Sequence, residues 1–280
     1  MQTTRRAALG FGIAALSSLA GCLGAPLDSF SEASESIDRG FTPADVDTVT
    51  VVNGVGDVTV RAEETDAVRA RVEKRVRGDR GALDDVRVRI DLSDGELTVE
   101  TSSDRSPALR LRSPTTTVTI TVPDDDSAPD IAGVVTQVGD VSLSGTRGNT
   151  RVQTEVGDVS ATAVEGYLTL ETEVGTVTAS DCTGLDAATS EVGDVKVDLL
   201  ALRGDVEVGT DVGDVVVGVA DDLDLDVLAE SDGGVDSDLE LDDSTVSNGR
   251  VSGRLNAGGH RLHAYTDVGD VSLHVLDGGA

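Results

Sequence analysis

The side chain best placed for chemistry is Cys22. It follows Leu19-Ala20-Gly21, a lipobox-type sequence after which exported lipoproteins are cleaved, leaving the cysteine to carry lipid. Upstream, Arg5-Arg6 precedes an apolar run from Ala7 to Ala20, the order of a twin-arginine export signal. That run is shorter than the roughly 20 apolar residues that span a bilayer. The alternative is a buried helix with Cys22 as a core thiol, which fits the charged start and the small-residue end less well. On the export reading, residues 1–22 are a signal peptide, and 23–42, rich in Ser, Asp and Glu, are a flexible tether. Membrane contact is then through the lipid anchor at the outer face of the cell membrane. A single acyl chain binds marginally, so stable anchoring takes two.

A second group of candidates is acidic. Asp57, Asp140, Asp158, Asp194, Asp214 and Asp270 each follow Val-Gly, and Gln137, Glu155, Glu173, Glu191, Asp211 and Asp267 stand just ahead at positions expected to face outward. If successive copies stack in register, two carboxylate rows run along one edge. Calcium, which takes six to eight hard oxygen ligands, suits such rows, with Asp158, Asp194, Asp214, Asp270, Glu155 and Glu191 as the ligand set. The other reading is a solvated face whose aspartates serve turn geometry. The spacing matches no dedicated calcium loop, and Thr176 interrupts the row. No other cofactor is expected.

The remaining chemistry is sparse. Of the three histidines, His260 and His263 have opposite parity on one strand and cannot share a metal. No serine sits in Gly-x-Ser-x-Gly, and neither a phosphate loop nor a dinucleotide fingerprint is present. Cys182 has nothing basic beside it to favour a thiolate and reads as an inert small residue. Tyr265 is expected outward beside His263. The chain is therefore not expected to be an enzyme.

Composition narrows the partners. The 280 residues carry a formal net charge of −30, with only Lys74 and Lys196 as lysines. Such a chain repels phosphate, which excludes nucleic acid. An acidic, lysine-poor surface stays hydrated in concentrated salt, where the Debye length falls to roughly 3 Å, and points to a halophilic archaeon. An ordinary acidic soluble protein is the alternative. Aromatic residues are 2% of the chain and Trp is absent, so the core must be built from Val, Leu and Ala. Sugar-binding platforms are correspondingly scarce.

The elements that position these residues repeat. Val-Gly-Asp-Val occurs at 55–58, 138–141, 156–159, 192–195, 212–215 and 268–271, with Val174-Gly175-Thr176-Val177 a close variant. Starts at 138, 156, 174 and 192 are 18 residues apart, and the next step is 20. Degenerate copies at 232–235 and 248–251 fill the gap to 268. Within one copy, Val152, Thr154 and Val156 alternate with Arg151, Gln153 and Glu155, the period of a half-buried strand, and Gly157-Asp158 bends the chain. The fold class is all-β: a β-solenoid, single-stranded β-helix-like stack of 18–20-residue repeats over 131–280, with a threonine row (Thr136, Thr154, Thr172, Ser190, Thr210, Thr266) facing inward. Residues 43–130, with strands expected over 46–60, 67–76, 86–90, 96–100 and 115–122, form an irregular β portion that caps the stack.

Repeated Val-Gly-Asp-Val strands, behind a threonine-rich strand ending in proline (Thr115–Pro123), resemble the adhesin-type, toastrack-like all-β domain family of bacteria and archaea. The resemblance covers roughly 43–275. It implies a β-helix-like fold and an envelope location, and no functional residues are defined for the family. The function expected is a lipid-anchored surface interaction protein, for adhesion or envelope scaffolding, that meets an envelope protein or glycan. The alternatives are an accessory subunit in envelope-stress sensing and a β-helix enzyme acting on surface polysaccharide.

Overall fold

The structure, a computed structural model, describes residues 32–78, 80–103, 114–247 and 249–276. Arg5, Arg6, Cys22 and the signal peptide lie outside the described residues. Among those described, the chain is all-β with two short 3-10 turns, and no helix is long and apolar enough to cross a membrane.

The strands alternate between two long sheets. In chain order they begin with β1 (Glu32–Phe41), β2 (Thr48–Val55), β3 (Val58–Glu63), β4 (Val68–Arg77), β5 (Val86–Ser93), β6 (Glu96–Ser103) and β7 (Thr115–Pro123). Regular coils follow: β8 (Asp130–Val138) and β9 (Val141–Ser144), β10 (Arg151–Val156) and β11 (Val159–Thr162), β12 (Tyr167–Val174) and β13 (Val177–Ser180). Next come β14 (Gly184–Val192) and β15 (Val195–Leu199), then β16 (Val206–Val212) and β17 (Val215–Val219). The chain ends with β18 (Leu225–Ser231), β19 (Gly234–Ser237), β20 (Asp242–Ser247), β21 (Arg250–Leu255), β22 (His260–Val268) and β23 (Asp270–Val275).

Each coil gives its first strand to a 12-stranded sheet and its second to an 11-stranded sheet, and the Gly-Asp pair turns the corner between them. The coils pair in parallel: Val152 lies beside Val134 and Leu170, and Val159 beside Val141 and Val177. Inward positions of both sheets, such as Val152, Leu170 and Ala188 from one and Val159, Ala161 and Ala179 from the other, are fully buried and make one continuous core. No aromatic ring is needed, because sheets about 10 Å apart are filled by aliphatic side chains from each face.

The stack does not follow chain order at its ends. The coil of β22 and β23 sits between that of β16 and β17 and that of β18 and β19. The coil of β2 and β3 likewise sits between β8/β9 on one side and β6/β7 on the other. The degenerate copy at 232–235 is therefore a coil corner, but it lies beyond 268–271 rather than before it. The copy expected at 248–251 is different again. It is the turn and start of the antiparallel hairpin β20–β21, which closes the edge of the 12-stranded sheet against β18.

Two further expectations are corrected. A flexible tether over 23–42 does not describe residues 32–41, which form β1 and pair antiparallel with β4 from Glu32↔Arg77 to Phe41↔Val68, while 23–31 lie outside the described residues. Ile37 and Phe41, four residues apart, are packed against the core, and the polar residues between them conceal the strand period. Val156 does not point inward as Val152 and Thr154 do. The strand bends after Thr154, so that Glu155 and Val156 are both exposed and the core face resumes at Val159.

Glycine fixes the corner. Gly139, Gly157, Gly175, Gly193, Gly213 and Gly269 all have φ between 142° and 153°, a region that side chains disfavour. A Cβ built on Gly157 would lie 2.1 Å from the Gly139 carbonyl oxygen, and one on Gly175 would lie 2.0 Å from that of Gly157. Gly157→Ala is expected to destabilise the fold by about 2–5 kcal/mol, from backbone strain and backbone overlap together. Gly40→Ala, whose Cβ meets nothing within 4 Å, should stay within about 0.5 kcal/mol of the parent. Denaturant unfolding of the two variants checks this.

Candidate functional site

Among the described residues, the acidic rows and the face beside them are the candidates with a defined geometry. At each corner the aspartate carboxylate is turned along the stack. Asp57 Oδ1 accepts the Asp140 N–H at 3.1 Å, Asp140 Oδ1 that of Asp158 at 2.9 Å, and Asp158 Oδ1 that of Thr176 at 2.7 Å. Thr176 carries no carboxylate, and the series resumes with Asp194 to Asp214 at 3.1 Å and Asp214 to Asp270 at 3.0 Å. A carboxylate is the right side chain here because a coil corner leaves a backbone N–H facing the neighbouring coil. The Asp214 N–H, and Lys196 beside it, hold the Asp194 carboxyl below the usual carboxylate range.

The threonine row uses the same corner from inside. Thr154 donates to the Gly139 carbonyl at 3.3 Å, Thr172 to Gly157 at 3.0 Å, Ser190 to Gly175 at 2.9 Å and Thr266 to Gly213 at 2.9 Å. At the first coil Asn53 takes over, with its Nδ2 donating to the Gly56 carbonyl and its Oδ1 accepting from Thr116 at 2.6 Å. Asn53 was not singled out by the repeat because it sits where the others carry a hydroxyl.

Of the residues expected to hold a cation, Asp158, Asp194, Asp214 and Asp270 lie in the corner row, and Glu155 and Glu191 in the parallel outward row. Among the described residues no three His, Cys, Asp or Glu side chains converge on a common point that would hold a metal ion. Cys182 is buried, donates to the Ser180 carbonyl at 3.3 Å, and has its thiol pushed up by that burial.

Beside the outward row, the outer face of the 12-stranded sheet is concave. A groove of about 1010 Å³ runs across its strands from Glu100 and Val52 at one end to Tyr265 at the other. Its floor is formed by outward side chains such as Gln153, Glu171 and Thr189, and one wall by Glu155, Glu173 and Glu191. Among the described residues no Lys, Arg or His lines it. Glu171 is met from outside by Arg151, which donates to both carboxylate oxygens at 2.9 and 2.8 Å. The described lining thus disfavours anions and offers acceptors to cations and hydroxyls.

Tyr265 closes the far end. Its ring lies across Gly209 of the next strand, where a Cβ would come within 2.3 Å of it, and stacks on His263 at 5.0 Å between centroids. His263 Nε2 is 3.2 Å from a Glu230 oxygen. His260 stands apart, exposed near Asp205. The parity of 263 and 265 made this pair legible in the sequence, whereas the room left by Gly209 was not.

Two outcomes follow. Asp158→Ala should cost about 1 kcal/mol by orphaning the Thr176 N–H, and Asp158→Asn, which keeps an acceptor, clearly less. Equal losses, together with loss of a calcium-dependent rise in Tm, would instead assign the row to cation binding. The second concerns pH. Burial and the Glu207 carboxylate push the Tyr265 hydroxyl up from 10 to about 12. The folded protein keeps a proton that the unfolded chain releases, so Tyr265 stabilises the fold fully below pH 10 and loses that contribution as pH rises to about 12. An ultraviolet phenolate titration of the parent should contain a component with midpoint near 12, and Tyr265→Phe should lack it.

Solved structures to which the chain is similar include a candidate cell-adhesion protein of Clostridium sporogenes (13% identity, TM-score 0.40, covering 87% of this chain and 100% of that one). A candidate adhesin of Bacteroides fragilis and a candidate lipid-binding protein of Parabacteroides distasonis are each 14% identical with a TM-score of 0.41, covering 86% of this chain and 97% of theirs. No curated protein matches the chain. The sequence profile of the toastrack DUF4097 family matches residues 46–274, and with its two long coil-built sheets the chain belongs to that family.

Proposed function

We propose that this is a lipid-anchored protein of the outer cell surface that presents its groove-bearing face to an envelope protein or glycan and catalyses no reaction. The groove carries the reading. It is a long surface repeated coil by coil and lined by acceptors. Such a surface suits recognition of an extended, cationic or hydroxyl-rich partner better than the turnover of a small substrate. The address comes from Arg5-Arg6 and Cys22, and the 18–20-residue repeat explains how so short a motif builds so long a face. The net charge of −30 is an adaptation to concentrated salt in a halophilic archaeon.

Cross-linking in intact cells at native salt, read by mass spectrometry, tests the function. Wild type should yield a reproducible envelope partner, and Glu173→Lys/Glu191→Lys should lose it while remaining folded and anchored. A partner retained by that variant would remove the groove from the reading. Cys22→Ser should shift the protein from the membrane to the soluble fraction, and Arg5→Lys/Arg6→Lys should hold it inside the cell. Membrane retention by Cys22→Ser would refute the lipid anchor. Purified Cys22→Ser protein should gain Tm steadily from low to molar KCl, and an equal Tm across that range would refute the halophilic adaptation.

A further inference from the structure

Six coil corners expose a valine side chain. Val138, Val156, Val174, Val192, Val212 and Val268 are 43–62% exposed, one per coil, and adjacent in the sheet. Only their main chain is engaged: the Val156 carbonyl accepts from Gly139 and the Val174 carbonyl from Gly157. The buried residue three positions after each of them is constant too, as Val141, Val159, Val177, Val195, Val215 and Val271. The exposed valines therefore form an unbroken apolar line bordered by polar residues, the character of a surface used for contact.

The stripe's surroundings specify its occupant. Six valines at the inter-strand spacing extend over about 24 Å. Carboxylates flank them on both sides, Glu155, Glu173 and Glu191 on one and Asp158, Asp194 and Asp214 on the other. A second copy would set like-charged rows against each other, and an anionic lipid surface would be repelled in the same way. Extended chain presents same-side residues every 6–7 Å, too widely for this ladder, whereas a helix presents one apolar residue per turn of about 5 Å. Among the described residues the chain has no α-helix of its own to supply it.

We propose that the valine stripe docks a basic amphipathic helix of another protein, about 16–18 residues long, with its apolar line on the valines and Lys or Arg on both flanks. The site needs neither the lipid anchor nor an occupant in the groove, although Glu155, Glu173 and Glu191 border both surfaces, so the valine substitutions rather than the glutamate ones tell the two apart.

The test uses Cys22→Ser protein and a fluorescently labelled 18-residue peptide with leucine at every third or fourth position and lysine elsewhere. Anisotropy is read at about 0.15 M and at molar KCl. The ordered peptide should bind at least tenfold more tightly than a scrambled peptide of identical composition, and should gain helical circular dichroism on binding. Val156→Thr/Val174→Thr/Val192→Thr keeps shape and β propensity while removing apolar surface, and should weaken binding at least tenfold with Tm retained. Val246→Thr, at a 74%-exposed valine on β20, should bind within twofold of the parent. Equal binding of ordered and scrambled peptides, or undiminished binding by the triple variant, would overturn the proposal. So would a dimer of the parent in molar KCl that the triple variant abolishes, since the occupant would then be a second copy.

Discussion

Everything in this fold depends on how closely one corner passes over the next. At each corner a glycine stands directly above the carbonyl of the glycine in the neighbouring coil, with no room for even one carbon between them. That approach allows the coils to stack at the spacing of a β-sheet through the bend, where a chain with side chains would splay. At most corners the same carbonyl receives a threonine or serine hydroxyl from inside, and the aspartate that follows reaches outward to the neighbouring N–H. The exceptions are the buried Thr210 hydroxyl, which makes no hydrogen bond, and Thr176, which stands in place of an aspartate. Glycine, hydroxyl and carboxylate thus serve one junction from three directions, and Val-Gly-Asp-Val is the sequence form of that junction.

With the corner satisfied by its own side chains, the acidic rows take on a different meaning. The corner aspartates accept from backbone, so their charge is a by-product of an acceptor requirement as much as a feature of the surface. The outward glutamates have no such duty. They wall the groove on one side and border the valines on the other, so one row shapes both surfaces available for contact. Beside the groove floor, Arg151 is committed to Glu171.

Much of this was legible beforehand. Period-2 alternation and a recurring corner motif gave the strands, the two-faced coil and the inward threonines, because these are local patterns that recur and reinforce one another. What escaped was non-local. The placement of 260–275 inside the stack depends on which edge offers the better partner, and no property of those residues alone encodes it. The strand of 32–41 has too few apolar residues to show its period. Val156 misled because alternation assumes a straight strand, and the bend after Thr154 breaks the parity at the residue where an apolar side chain was taken as inward. At the candidate surfaces, the residues were visible but the concavity and the space over Gly209 were not, since both come from the packing of adjacent strands.

The interior position of the last coil has a consequence for how the chain reaches its final form. A ribbon that added turns in the order of synthesis would be finished turn by turn, each new one resting on a completed surface. Here residues 260–275 act as a keystone: a later segment occupies a slot between two coils made of earlier residues. The strands of 225–231 and 250–255 pair with each other, but among the described strands only β22 and β23 join that pair to the rest of the stack. Loss of residues 260–275 would not merely shorten the stack. It would detach the coil and hairpin lying beyond the gap from the core they share with the other coils.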